Sequence, residues 1–448
     1  MMQRLLKAGL WVRVALGLVL LPLLLGARMP ALALGGLGYL KHHKPADDSQ
    51  QSKPASTASQ PPAFSIPVEP LGFDSPGAFY LGQRESLVSL DFLDENRLLF
   101  TFRAPGLIRR TTPGESDERQ IRAEVVSLPQ GTVEVEALWT LHDHNRYLWM
   151  LHNGHFLLRD GDTIKEGNAA LELKPLLQFP GPLLWMQMDP AQQFLVTDSE
   201  EPKAVEARPG DVPSPATAEA SISTDGQRAE GDPQIVLRIL RRDSGQVMLV
   251  SRVRTAVHLP INSTAYLETL RASEGRDWLV DQNFFTGGVR MIGKLESTCD
   301  PPIELLSSDV ALANACAPQG GRKLVAMSMD GRKLWEASSP STQVWPLLIA
   351  SPDGSHLARE TLTLDQPVDN FANTIGAESI KGQLVEVFET ARGSLALKAP
   401  ASPVLDGGGN VAISPSGKRV AVLNAGSIEV YELAAPQVAS SPSARSTP

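Results

Sequence analysis

Val411–Leu433 reads VAISPSGKRVAVLNAGSIEVYEL, and its pattern decides the fold. Three short apolar runs, Val411–Ser414, Arg419–Asn424 and Ser427–Leu433, are separated by Pro415-Ser416-Gly417 and by Ala425-Gly426. Proline presets φ at the first corner of a tight turn, and glycine takes the positive φ that closes it. The stretch is therefore a three-stranded meander. Such a meander has two open edges and buries little, so it must be one unit of a repeating architecture. Within it Val420, Ala421, Val422 and Leu423 place apolar side chains on both faces, as a sheet covered on both sides by other sheets requires.

The remaining chain reads as further copies. Leu87–Phe92, Arg97–Phe102, Ile121–Ser127 and Thr132–Ala137 form a first group, and Arg146–Leu151, His155–Arg159 and Ala170–Leu173 a second. Leu183–Met188, Phe194–Thr197, Gln234–Leu240 and Gln246–Ser251 make the third; Ala265–Leu270, Asp277–Val280 and Val289–Gly293 the fourth. A fifth comprises Asp309–Ala313, Lys323–Ser328 and Lys333–Ala337. The sixth comprises Val344–Ala350, His356–Thr361, Gln383–Glu389 and Ser394–Leu397. No segment of helix length carries a 3.6-residue apolar period. Gly 36 and Pro 35 in 448 residues suit many short strands joined by turns. The last group shows three strands, and Phe64–Leu71 or Ala78–Leu81 is the candidate for its missing outer strand. That pairing joins the chain ends and removes a long exposed edge.

The outer segments carry an address. Arg4, Lys7 and Arg13 precede the apolar run Val14–Ala27, and Pro30-Ala31-Leu32-Ala33 offers an A-x-A cleavage site. The run falls short of the roughly 20 residues of a spanning helix. Residues 1–33 are read as a signal peptide, with an uncleaved anchor as the alternative. Residues 34–63 are read as a disordered linker, on the polar, Ser/Pro/Gln-rich stretch Lys41–Pro62, and 435–448 as a disordered tail. The domain proper spans 64–434. It is interrupted by a mobile insertion over 199–232, and by a shorter one over Leu364–Ile380 at the matching place in its own group. Both insertions should leave from one rim.

The expected location is periplasmic or secreted. There, Cys299 and Cys316, the only two cysteines, are expected to form a disulfide rather than remain thiols or ligate a metal. A net charge of −9 with no basic cluster excludes a nucleic-acid surface. No nucleic acid, no cofactor and, after cleavage, no membrane is expected as partner, and the chain is expected to be monomeric.

Ser351-Pro352-Asp353-Gly354, with His356-Leu357-Ala358 after it, and Ser414-Pro415-Ser416-Gly417 with its following strands carry a family likeness. They resemble the S-P-D-G turn and third strand of TolB-type and WD-repeat-like β-propellers. The Gly-His and Trp-Asp dipeptides of true WD repeats are absent. The resemblance implies an all-β ring of seven four-stranded blades around a channel, with six or eight as the alternatives. Met329-Asp330-Gly331-Arg332-Lys333-Leu334-Trp335 is similar to the D-G-K-x-L-W turn of quinoprotein propellers. There the Trp docks one blade on the next. A single copy is present, and no vicinal cysteine pair, so Trp335 is read as packing.

Among chemistry-bearing residues, His142 and His144, with His152 and His155 nearby, are the candidate metal ligands, since alternate strand positions share a face. Exposed polar residues of a turn are the competing reading. Trp139, Trp149, Trp185 and Trp345 are read as blade packing, and Gly407-Gly408-Gly409 as a flexible turn. Asn262-Ser263-Thr264 fits a glycosylation sequon. No nucleophile elbow, HExxH or P-loop is present, so no catalytic residue is assigned. The expected function is a non-catalytic scaffold for a protein, glycan or other ligand. The alternative is a lactonase-like hydrolase with a metal in the channel.

Overall fold

The structure, a computed structural model, describes residues 60–75, 88–104, 118–143, 145–201, 234–273, 275–368 and 376–434. The expected signal peptide, nearly all of the linker, the tail, Ala78–Leu81 and His144 lie outside these residues. Among the described residues there are 27 strands, and the helical elements are 3-10 turns of three residues.

β1 (Phe64–Pro67) stands apart from its sequence neighbours. β2–β5 (Val88–Asp94, Arg97–Arg103, Arg119–Ser127, Val133–Leu141) form blade 1, and β6–β9 (Leu148–Met150, Phe156–Asp160, Thr163–Gly167, Leu173–Gln178) blade 2. Blade 3 contains β10–β13 (Leu183–Met188, Phe194–Glu201, Gln234–Arg241, Val247–Val253), and blade 4 β14–β16 (Ala265–Arg271, Asp277–Phe284, Val289–Glu296). β17–β20 (Ile303–Leu305, Val310–Cys316, Arg322–Ser328, Lys333–Ser339) make blade 5. β21–β24 (Gln343–Ala350, His356–Leu364, Ile380–Glu389, Leu395–Ala401) make blade 6. Blade 7 consists of β25–β27 (Val411–Ile413, Arg419–Asn424, Ser427–Glu432) with β1 added outside β27. Every pairing is antiparallel, so the protein is a seven-bladed β-propeller of the kind expected.

Three strands went unread in the sequence. In blade 4 the innermost strand has shrunk to an isolated bridge, Ile261 to Tyr266, supported by Leu267 N donating to Pro260 O at 2.8 Å. Proline cannot donate to a ladder, which keeps this strand short. β17 has three residues, too few to show alternation. β8 is Thr-Ile-Lys-Glu-Gly, with one large apolar side chain. β11 runs on through Glu201 and β12 resumes at Gln234, so strand pairing extends into the segment read as insertion.

Burial explains the ring. Seven apolar cores occur among the described residues, each built from two consecutive blades. A single strand serves two of them: Val420 and Val422 of β26 enter the core shared with blade 6, while Ala421 and Leu423 enter the core shared with blade 1. No sheet is covered until both neighbours are present. Closure falls to β1, whose Phe64, Ser65, Ile66 and Pro67 pair with Val430, Glu429, Ile428 and Ser427. Ile66, 3% exposed, joins a core with Leu90, Phe100 and Val430. Phe73 then sets its ring edge-on at 5.4 Å from both Phe100 and Phe102. The N-terminal segment thus ties blade 7 to blade 1.

The two rims differ. One carries the short turns between first and second strands, and these interlock from blade to blade. Ser416 N donates to Glu95 Oε1 at 2.8 Å, and Arg419 Nη1 to Glu95 O at 2.8 Å. His152 N donates to Gln192 Oε1 at 2.8 Å. Within each S-P-x-G turn the serine hydroxyl accepts from the returning strand: His356 N lies 2.9 Å from Ser351 Oγ, and Arg419 N 3.1 Å from Ser414 Oγ. The opposite rim carries every connection between second and third strands, including those bracketed by Arg103 and Arg119, Glu201 and Gln234, and Leu364 and Ile380. Cys299 and Cys316 are joined there in a disulfide, linking the strand that leaves blade 4 to the end of β18.

Shortening Ile66 to alanine should lower unfolding stability by about 2–4 kcal/mol in a denaturant titration, because it opens a cavity in the closing core. A loss below about 0.5 kcal/mol, typical of an exposed position, would remove β1 from its place as the latch.

Candidate functional site

Where first strands begin, blades 1, 2, 5, 6 and 7 enclose a cavity of about 480 Å³. Its wall is made where first strands begin: Val88–Asp91 of β2, Asn145 and Arg146 before β6, Gln343–Leu347 of β21, and Asp406–Gly409 before β25. Asn314, Gly321 and Arg322 of blade 5 complete it. First strands lie innermost in each sheet, so their leading ends are the residues the fold brings together around the axis.

Charge is concentrated here. Arg146 donates from Nε to Leu148 O at 3.1 Å and lies 5.3 Å from the Trp149 ring. Burial among the blades lowers its pKa, while Asp91 and Glu304 act through space to raise it. The same burial raises the Asp91 carboxyl, opposed by a hydrogen bond from Ser89 and by Arg146. Glu304 of β17 is pushed up to about 7 by burial, with Arg146 pulling the other way. Arg146 and Glu304 both reach the channel water, which damps these interactions. Arg322 is lowered by burial alone.

One wall is clamped by a carboxylate. Glu360, fully buried on β22, accepts from Gly409 N at 3.0 Å and Asn410 N at 2.8 Å through Oε1, and from Gln383 Nε2 at 2.9 Å through Oε2. Gln383 in turn accepts from Leu405 N at 2.8 Å. Blade 6 therefore holds the connector that enters blade 7. Gly409, at φ +115°, passes so close to β2 that a Cβ would stand 2.1 Å from Val88 O, so only glycine fits. Gly407-Gly408-Gly409 joins two strands as read, but its backbone is pinned rather than flexible. Burial pushes the Glu360 carboxyl up to about 7 against the lowering effect of these bonds.

The residues singled out from sequence lie elsewhere. His142 donates from Nδ1 to Asp160 Oδ1 at 2.9 Å, the bond that chiefly raises its pKa, and lies 3.6 Å from Glu118. It does not line the cavity. His155 is 2.8 Å from Glu166. Among the described residues no group of three or more His, Cys, Asp or Glu is arranged to hold a metal. Trp335 packs between blades: its Nε1 donates to Thr390 O at 2.6 Å, and its ring stacks on Phe388. Trp139 and Trp149 are in inter-blade cores, and Trp185 stacks on His258 at 4.3 Å. Trp345 packs under Arg359 at 4.8 Å and also faces the cavity. Asn262 is 9% exposed and caps the reduced first turn of blade 4, accepting from Thr264 N and Ala265 N.

Arg146, Arg322, Glu304 and Glu360 were not singled out in the sequence. A signal for Glu360 was present: Arg359-Glu360 puts two adjacent charges in the middle of the strand HLARETLTL. The others look like solvated strand-end charges until the ring gathers them.

No protein-family model and no curated protein matches the sequence. Among solved structures, the chain is similar to the C-terminal WD40 domain of Sif2, at 12% identity over 79% of this chain and 97% of that one, TM-score 0.37. It is also similar to the acylaminoacyl peptidase of Pyrococcus horikoshii, at 8% identity over 76% of this chain, TM-score 0.44, spanning 50% of that longer chain. Hydrazine synthase of Kuenenia stuttgartiensis gives 9% identity over 80% of this chain and 96% of that one, TM-score 0.42. These likenesses concern fold alone; the seven-bladed architecture rests on the strand pairings above.

Glu360 has a pH consequence. Its carboxyl is raised in the folded state, so the protonated form is favoured there. Its contribution is fully present below its unfolded value near 4.5 and is lost as pH rises to about 7. Glu360→Gln should flatten the slope of unfolding stability between pH 4.5 and 7, while losing one bond to Gln383 at about 1 kcal/mol. Parallel stability curves for the two proteins would remove Glu360 from this role.

Proposed function

We propose that the protein is an exported, non-catalytic β-propeller that serves as a binding scaffold, engaging a ligand or a protein or glycan partner at the cavity rim. The observation that carries this reading is the asymmetry of the rims. One rim is locked by turn-to-turn hydrogen bonds. The other opens into the cavity, lined by the leading ends of first strands and by Val368 of the blade 6 connection. Rigid strands presenting variable connections around a concave site are the usual arrangement of a binding face.

Kinship with TolB-type propellers is part of the proposal and rests on the two S-P-x-G turns. Export is supported by the basic and apolar N-terminal pattern. The disulfide between Cys299 and Cys316 is consistent with an oxidising compartment. No specific observation favours the lactonase-like alternative, since His142 is engaged by Asp160 away from the cavity.

Crosslinking of the full chain in its native host should recover a partner whose capture is lost, tenfold or more, on combining Asn145→Arg with Gln343→Arg at the cavity rim. Arg332→Glu on the turn rim should leave it unchanged. Equal loss from both changes, or from neither, would contradict the assignment. For export, the chain carrying its own N-terminus should be recovered outside the cytoplasm beginning near Leu34 with no reactive thiol. A cytoplasmic protein starting at Met1 with two titratable thiols would overturn it.

A further inference from the structure

Several arginines packed inside the blades are held by carboxylates. Arg122 holds Glu124 at 2.9 Å, Arg159 holds Asp143 at 3.0 Å, Arg359 holds Glu386 at 2.6 Å, and Arg238 binds Glu201. Arg322 has no such carboxylate among the described residues. It is half-buried at the start of β19, lines the cavity, and forms no ion pair among the described residues; its hydrogen bond there is a long one, Nη1 to Asn314 Oδ1 at 3.5 Å. A guanidinium withdrawn from water without a counter-charge is destabilising, and buried charges in folded proteins are normally compensated. The same cavity receives Arg146, which is anchored through Nε while neither Nη atom hydrogen-bonds a described residue.

We propose that the cavity is an anion-recognition site in which Arg322, seconded by Arg146, receives the carboxylate or phosphate of a small polar ligand. The planar fork of arginine suits both oxyanions, which it binds through paired N–H donors. The cavity volume of about 480 Å³ matches a small molecule. Asn145, Asn314, Ser341 and Gln343 supply neutral polar groups along the wall. Asp91, hydrogen-bonded by Ser89, faces the same space and repels a second negative group. Asp406 also lines it and has a partner of its own. The ligand that fits carries one anionic end and an uncharged, hydrogen-bonding remainder.

Arg322 is also held in place. Its cross-strand partner is Cys316, which is disulfide-bonded to Cys299 and whose N–H donates to Ser297 Oγ at 3.0 Å. The bridge fixes the strand end from which the guanidinium projects, so its position is set before a ligand arrives.

The inference rests on the cavity rim being the binding face, and calorimetric titration of the intact protein separates the two. The probes are D-gluconate for a polar carboxylate, inorganic phosphate for the other oxyanion, and sorbitol as the uncharged control, all at constant ionic strength. Saturable binding of gluconate or phosphate, with none of sorbitol, is expected, and the anion that binds identifies the group. Arg322→Gln should weaken it at least tenfold and Arg146→Gln several-fold, while Arg252→Gln on the perimeter leaves it unchanged. The ligand-free Arg322→Met protein should melt at a higher temperature than the parent, since it removes an uncompensated charge; a structural arginine would do the opposite. Absence of saturable anion binding, or unchanged binding in folded Arg322→Gln, overturns the proposal. If partner capture is still lost in Asn145→Arg with Gln343→Arg under those outcomes, the scaffold reading stands without it.

Discussion

The hydrogen-bonded seam between Phe64–Pro67 and Ser427–Glu432 is the constraint on which the molecule depends. Each sheet has two apolar faces and each face is covered by a neighbouring blade. An open row of sheets would leave the first and last uncovered. The seam makes the last neighbour the first. Its core, reaching from Ile66 and Phe73 to Phe100 and Leu423, is of the same apolar kind as the other inter-blade cores. The latch is therefore part of the general packing.

Much of this was legible from residues. The S-P-x-G turns, the two-faced apolar strand Val420–Leu423 and the unpaired Phe64–Leu71 together determine a closed ring of short sheets. What escaped has physical causes. Ile303–Leu305 and the bridge at Ile261 are too short for a period to show, and Thr163–Gly167 is a polar strand whose place is given by its partners. First strands are the shortest in blades 2, 5 and 7.

The candidate site was less legible, for the reason that makes propellers versatile. Arg146 and Arg322 are 176 positions apart in sequence (322 − 146) and come from blades 2 and 5, yet line one cavity. No local pattern encodes such a meeting. The histidines that did form a local cluster are engaged by carboxylates of blade 2: His142 by Asp160 and His155 by Glu166. Proximity along the chain and convergence in space are separate properties in a ring. Glu360 left a trace, as one of two adjacent charges in the middle of a strand.

Because Gln60 reaches across to the backbone of Glu432 at 2.8 Å, the beginning and end of the domain lie side by side. The order in which the blades are threaded is thus nearly arbitrary. A linker of a few residues from Ala434 to Gln60 would leave a covalent loop without ends, and new termini could be cut at the perimeter turn Gly287-Gly288 without breaking a ladder. Such a cut would leave β1 paired with β27 and the ring closed.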